Sequence, residues 1–325
     1  MDKNAKWIWL DKKIYPQYQK SEITLFDKTK EKYAFVAAEF KYEKSFKKKI
    51  KKVSIDISAD VKFWLYMNGK YVGLGPVCAG GDYANTMPMP KQYYNTYELE
   101  TDCEKIEFYV LVQKNTTVQC DTSQGRPGMI MSAVLTFCDG TEEKIVSSKD
   151  WLARKDNRRY ANGKIDYTMR TDEWCGAEEV ENIWNLYAAP IEMLAEDEIS
   201  PMEFSPVTVL PGETKTVNVE FDKIYSCYYH LAVSAEDNFT VQIADYEKDE
   251  EKAEVMDTIA AKSSIDFRSL QMTSVGSAKL YIINGGKKPL TVDKFSLYFD
   301  YYPIHEEGSF ECSDTVLNKA YDMGK

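Results

Sequence analysis

The stretch "DVKFWLYMNGKYVGLG", Asp60 to Gly75, decides the fold. Phe63, Leu65 and Met67 alternate with Lys62, Trp64 and Tyr66, the period of two that sends successive side chains to opposite faces of a strand. Asn68-Gly69 follows at once. A two-residue turn between twisted strands needs positive φ at both central positions, which Asn and Gly tolerate, so the stretch predicts a β-hairpin.

The same period runs outward in both directions. It predicts strands in "YAFVAAEFKY", "KVSIDIS", "KIEFYVLVQ", "IMSAVLTFCDG" and "EKIVSS", and again in "VNVEFDKIYSCYYHLAVSA", "FTVQIADYE", "SAKLYIING" and "LTVDKFSLYFDYYP". Gly, Asn and Asp punctuate most of them. Many short strands with turn signals and little helical periodicity predict an all-β chain built of two β-sandwich, jelly-roll-like domains. Between Pro190 and Pro211 stand four of the eleven prolines and an acidic cluster, which reads as a linker plus an entering edge strand. The expected division is a sandwich over 1–190, a second over 191–307, and the first turns of a helix over 308–325. Ser313 and Asp314 offer N-caps for that helix, with Val316, Leu317, Ala320 and Tyr321 at helical spacing.

Two stretches read less regularly. "TDEWCGAEEVENIWNLYAAP", Thr171 to Pro190, is expected to be an irregular, partly helical arm, and "YEKDEEKAEVMDTIAAK", Tyr246 to Lys262, a long loop or one short helix. Trp7 and Trp9 alternate with Ile8 and at least one of them is expected to plug the first core, and Trp151 is expected to be structural.

Composition removes several function classes. A net charge of -11 opposes nucleic-acid binding, since a phosphate backbone asks for a basic face. The lysines of "FKKKIKK", Phe46 to Lys52, read as the solvated edge or approach of a strand. No apolar run approaches a membrane span, so no membrane partner and a cytoplasmic location are expected. Seven scattered cysteines without a CxxC suit reduced thiols rather than a disulfide framework or a metal site. Two histidines leave almost no material for a zinc centre or a Ser-His-Asp triad.

"GLGPVCAGGD", Gly73 to Asp82, lacks phosphate-cradle spacing and follows a hairpin instead of opening a helix. The runs "EDE" (Glu196 to Glu198) and "EKDEE" (Glu247 to Glu251) read as solvated faces. Glycoside hydrolysis needs carboxyl groups about 5 to 9.5 Å apart, and sequence alone pairs none, so no catalytic residue is assigned. The best-supported site is a carbohydrate contact in "CAGGDYANTMPMPKQYYNTYELE", Cys78 to Glu100. Sugars are held by aromatic faces on their C–H surfaces and by carboxylate or amide groups on their hydroxyls. Asp82, Tyr83, Asn85 and Tyr94 are the candidates, against the alternative of tyrosines packing at a strand start.

In order along the chain, "AKWIWL", "YAFVAAEF", "VSIDISADVKFWLYMNGKYVGLGP", "YYNTYELE", the "CDG" turn with "KDWLARKD" and the closing "GSFECSDTVLNKAYDMG" resemble the N-terminal region of bacterial α-L-rhamnosidases, glycoside hydrolase family 78. The resemblance covers nearly all of the chain and the closing segment is its most specific part. It implies that the final helix leads into an (α/α)6 barrel, absent here, which in the family carries a glutamate acid and a glutamate base for an inverting mechanism. No residue of this chain matches those positions. On this reading the chain is a fragment whose partner is its own missing barrel, with rhamnose-containing oligosaccharide as a further expected partner. It is expected to be inactive alone and to need no cofactor. Where relatives have a Phe-Arg-Tyr strand, this chain has "FRSLQMTSVG", Phe267 to Gly276. Some relatives bind rhamnose with calcium on a jelly roll. Asp82 and Asn85 fall well short of the roughly six to eight oxygens calcium takes, so no metal is expected. A free-standing carbohydrate-binding module and a structural or interaction protein remain the alternatives.

Overall fold

The hairpin forms as its sequence dictates. Asn68 and Gly69 take φ of 49° and 75°, and strand Lys62–Met67 pairs antiparallel with Lys70–Gly75 across them. The computed structural model describes residues 1–10, 35–77, 91–115, 127–158, 164–169, 171–182, 184–247, 255–305 and 307–324. Among these, eleven strands form one sheet and nine a second, so the chain is all-β with two sheet domains and one short C-terminal helix.

In the first domain one strand runs from Phe35 to Asp60 and pairs antiparallel with Lys91–Asn115 over nearly its whole length, from Phe35↔Asn115 to Ile57↔Asn95. Register shifts between Ser45 and Ile50 bend the pair, since an extra residue on one strand kinks and twists the ladder. The early half of Phe35–Asp60 is flanked by Leu152–Lys155 and the late half by Gly128–Phe137. Phe40, Phe108 and Val110 from one side of the bend therefore meet Val53, Ile55, Ile57 and Leu135 from the other in one core. Trp9 is plugged into that core, and Trp7 into a smaller cluster with Ala5 and Ile130. Trp151, fully buried, stacks on Phe108 and donates from Nε1 to Val146 O at 3.0 Å. The lysines of "FKKKIKK" lie along the bend. Lys48, Lys49 and Lys52 pair outward with Asp139, Asp102 and Glu98, as a solvated strand would.

Glu39 sits on the outer face of the same strand and is fully buried. It accepts from Tyr109 Oη at 2.6 Å and from Arg154 Nε and Arg158 Nη2. Removing one partner of a buried charge pair leaves the others uncompensated. Because both arginines keep about a fifth of their exposure, Glu39→Gln is expected to cost about 2 kcal/mol, read as a lower urea midpoint with an unchanged slope.

The second domain repeats the device with strand Thr214–Ser234. Its early half pairs with Thr273–Asn284 and its late half with Leu290–Tyr301, with a register shift between Glu220 and Tyr225. Leu231, Val241, Leu280 and Phe295 are among the residues of its core. Lys164–Asp166, from before the proline-rich stretch, joins this sheet parallel to Val255–Ala261.

Two expectations change. The arm Thr171 to Pro190 is stranded rather than partly helical: Cys175–Gly176, Glu178–Glu179 and Asn185–Ala188 each pair with a strand of the first sheet, which satisfies their backbone groups. In Tyr246 to Lys262, Val255–Ala261 is a strand, carried by Ile259 in the second core. The described cysteines form no disulfide.

Candidate functional site

Asp82, Tyr83 and Asn85 lie outside the described residues. Tyr94 stands just beyond that segment on Lys91–Asn115, half-buried, opposite Ala188 of the parallel edge strand Asn185–Ala188. Burial, then the nearby Asp56 carboxylate, push its phenol pKa up. Its neighbour Tyr93 pairs with Tyr187, and Lys91 Nζ lies 4.8 and 5.2 Å from those two rings. Gln92 is buried and donates to Ala59 O at 3.0 Å, so it is structural.

The densest chemistry is at the seam between the sandwiches, which sequence reading missed. Strand alternation sends Trp64, Tyr66 and Leu111 away from the first core, and Leu270 of the second domain packs on that face. Lys62 Nζ crosses the seam to Tyr228 Oη at 2.9 Å and lies 5.1 Å from both the Trp64 and Tyr228 rings. Burial brings its ammonium down to about 8, with Asp300 opposing and Arg268 adding to the shift. From the other side Arg268 stacks over Tyr71 at 4.0 Å, Tyr298 at 4.4 Å and Tyr228 at 5.2 Å. Its two terminal nitrogens grip Glu196, and Nη2 lies 3.9 Å from Asp300 Oδ1. Burial, then a hydrogen bond shared with Glu196, raise the Asp300 carboxyl well above the usual carboxylate range.

Of these groups Tyr71, Glu196 and Asp300 line a cavity of about 160 Å³, with Leu74, Val77, Ile191 and Glu192 among its other walls. A Cβ at Gly73 would come within 2.5 Å of the Tyr97 ring, so glycine there lets Tyr97 lie against the hairpin. Tyr97 Oη donates to Leu74 O at 2.9 Å and accepts from Asn95 Nδ2 at 3.1 Å.

The expectation of a solvated "EDE" run therefore changes. Glu196 is held by Arg268. Glu198 meets His230 Nδ1 at 2.8 Å, Ser296 Oγ at 2.5 Å and Lys294 Nζ at 2.7 Å. Burial works against the Glu198 charge, but hydrogen bonds from Lys294, Ser296 and His230 outweigh it and bring the carboxyl down to about 2. His230 Nε2 lies 2.9 Å from Asp266 Oδ1, yet this is no triad, since Ser296 is fully buried and engaged with Glu198. Among the described residues no three His, Cys, Asp or Glu groups are placed to hold a metal ion, and no helix is long and apolar enough to cross a membrane.

No protein-family model matches the chain. No curated protein matches it either. Among solved structures, an α-L-rhamnosidase from Dictyoglumus thermophilum is similar at a TM-score of 0.63 and 18% identity, covering 97% of this chain and 38% of that one. An α-L-rhamnosidase from Aspergillus terreus is similar at 0.56 and 14%, covering 98% of this chain and 39% of that one. Identities this low carry fold alone. The chain shares, along nearly its whole length, a two-sheet architecture with solved α-L-rhamnosidases, and it spans less than two fifths of the length of either.

Proposed function

We propose that this chain is a non-catalytic accessory and scaffold region of an α-L-rhamnosidase-like glycoside hydrolase, built to support a helical catalytic barrel. One observation carries the reading: the fold match takes in 97% of this chain but only 38% of the Dictyoglumus enzyme. The final helix supports it. Thr315–Met323 is capped by Asp314, which accepts from Val316 N at 2.8 Å, and the helix buries none of its own side chains. Val316, Leu317 and Met323 are exposed and give the barrel an apolar surface to pack on. Incubated with an aryl α-L-rhamnoside, the purified chain is expected to release no phenol. Turnover that scales with protein and survives repurification would contradict the proposal.

A second reading, contact with rhamnose-containing oligosaccharide, is favoured by the half-buried Tyr94 beside the segment that holds Asp82, Tyr83 and Asn85. Loss of the ring in Tyr94→Ala is expected to weaken such binding about tenfold, roughly 1.4 kcal/mol. Glycan arrays probed with both proteins check this, and equal signals remove Tyr94 from the contact.

A further inference from the structure

The geometry points to a binding site for one neutral sugar ring in the cavity between the two sandwiches, with its hydroxyls on Asp300 and Glu196. This does not depend on the accessory-region reading, because it rests on the cavity alone.

Four observations converge. First, the Asp300 side chain is 96% buried, the residue lines the cavity, and its Oδ1 has no hydrogen-bond partner among the described residues. A buried acceptor left unmet costs about 1 to 3 kcal/mol, so a donor arriving in the cavity is rewarded. Second, each carboxyl group of the wall already has a basic partner. Glu192, Glu196 and Asp300 line the cavity, where His305 Nε2 lies 3.6 Å from Glu192, Arg268 grips Glu196, and Lys62 and Arg268 act on Asp300. An ammonium ligand would compete with those partners, and a carboxylate ligand would face three carboxyl groups. A neutral hydroxyl meets neither obstacle, and it pairs with a carboxyl group whether that group is ionised or protonated.

Third, the walls suit a ring with an apolar face. Leu74, Ile191 and Leu194 supply aliphatic surface, while Tyr71 and Tyr97 supply aromatic rings. Sugars present C–H faces to such surfaces and direct hydroxyls at planar polar groups. Fourth, the space of about 160 Å³ admits one ring and not a chain of them. The wall is built from both domains, since Tyr71 and Leu74 belong to the first hairpin and Asp300 to strand Leu290–Tyr301. Ligand binding would therefore tie the two sandwiches together.

Calorimetric titration of the full chain tests this, with L-rhamnose, D-galactose and D-glucose as neutral probes and ethylammonium and acetate as charged ones. The expected result is saturable binding of at least one sugar, one per chain, with no heat from either charged probe. Asp300→Ala is expected to weaken it about tenfold or more. Leu194→Trp narrows the mouth at a residue 52% exposed, so it leaves the core intact and decides the matter if Asp300→Ala does not fold. No sugar binding, binding that survives both cavity variants, or preference for a charged probe each overturns the inference.

Discussion

Asp257→Asn is expected to stabilise the second sandwich at pH 8 by up to about 4 kcal/mol and to change it little at pH 4. Asp257 is 7% exposed, on strand Val255–Ala261. Burial, reinforced by the Asp245 carboxylate, raises its carboxyl from 3.8 to about 7. Asp245 is itself engaged, accepting from Tyr229 Oη and from Thr273 Oγ1 at 2.6 Å. Between pH 4 and 7 the folded state therefore holds a proton that the unfolded chain has released. Stability then falls as pH rises through that window, and it is fully present only below about 4. Asparagine keeps the shape, cannot ionise, and removes the repulsion with Asp245. Urea unfolding followed by far-ultraviolet circular dichroism at both pH values is the measurement. A variant no more stable than the parent at pH 8 would show that folding does not raise the Asp257 carboxyl. Asp300 is shifted in the same direction, so part of the acid-side stabilisation persists in the variant.

The second large effect concerns the seam. Arg268→Ala removes the guanidinium from Glu196, Asp300 and three tyrosine rings at once, leaving the buried Asp300 carboxyl and the part-buried Glu196 without the cation that lies between them. Breaking such a buried set costs about 3 to 5 kcal/mol. Because the contact spans both domains, the loss is expected to appear as uncoupling. All six tryptophans lie before Pro190, so tryptophan fluorescence reports the first sandwich while calorimetry reports both. In the parent the two signals are expected to coincide. In Arg268→Ala the second sandwich melts first and the curves separate. Arg268→Lys is expected to recover little, since lysine restores the charge without the flat surface that stacks on Tyr71 and Tyr298. A single unchanged transition in Arg268→Ala would mean that the seam contributes nothing to the coupling.

Much of the fold was legible because it is written locally. Alternation in Phe63, Leu65 and Met67 and the Asn68-Gly69 turn need no distant partner to be read. The bends were not legible. "YAFVAAEFKY" and "KVSIDIS" read as two strands, yet they are the halves of one, because "FKKKIKK" looks like an interruption when only its neighbours are known. Ile50, buried between the two register shifts, pairs with Cys103 on one side and Phe137 on the other. The short strands of Thr171 to Pro190 carry no pattern of their own and exist only because sheet edges await them. Arg268 drew notice as a departure from a familiar strand, but its partners come from four separate parts of the chain. Glu196 looked like one acid in a solvated run, and nothing next to it in sequence announces the guanidinium that covers it.

The two bent strands of the first sandwich have a mechanical consequence. In a sandwich whose layers are separate sheets, one layer can shear over the other by sliding side chains across the core. Here Phe35–Asp60 and Lys91–Asn115 pass through both layers side by side, so any sliding would have to break the ladder at the corner on two adjoining strands together. The domain is thus expected to move as one block when its hairpin is pushed.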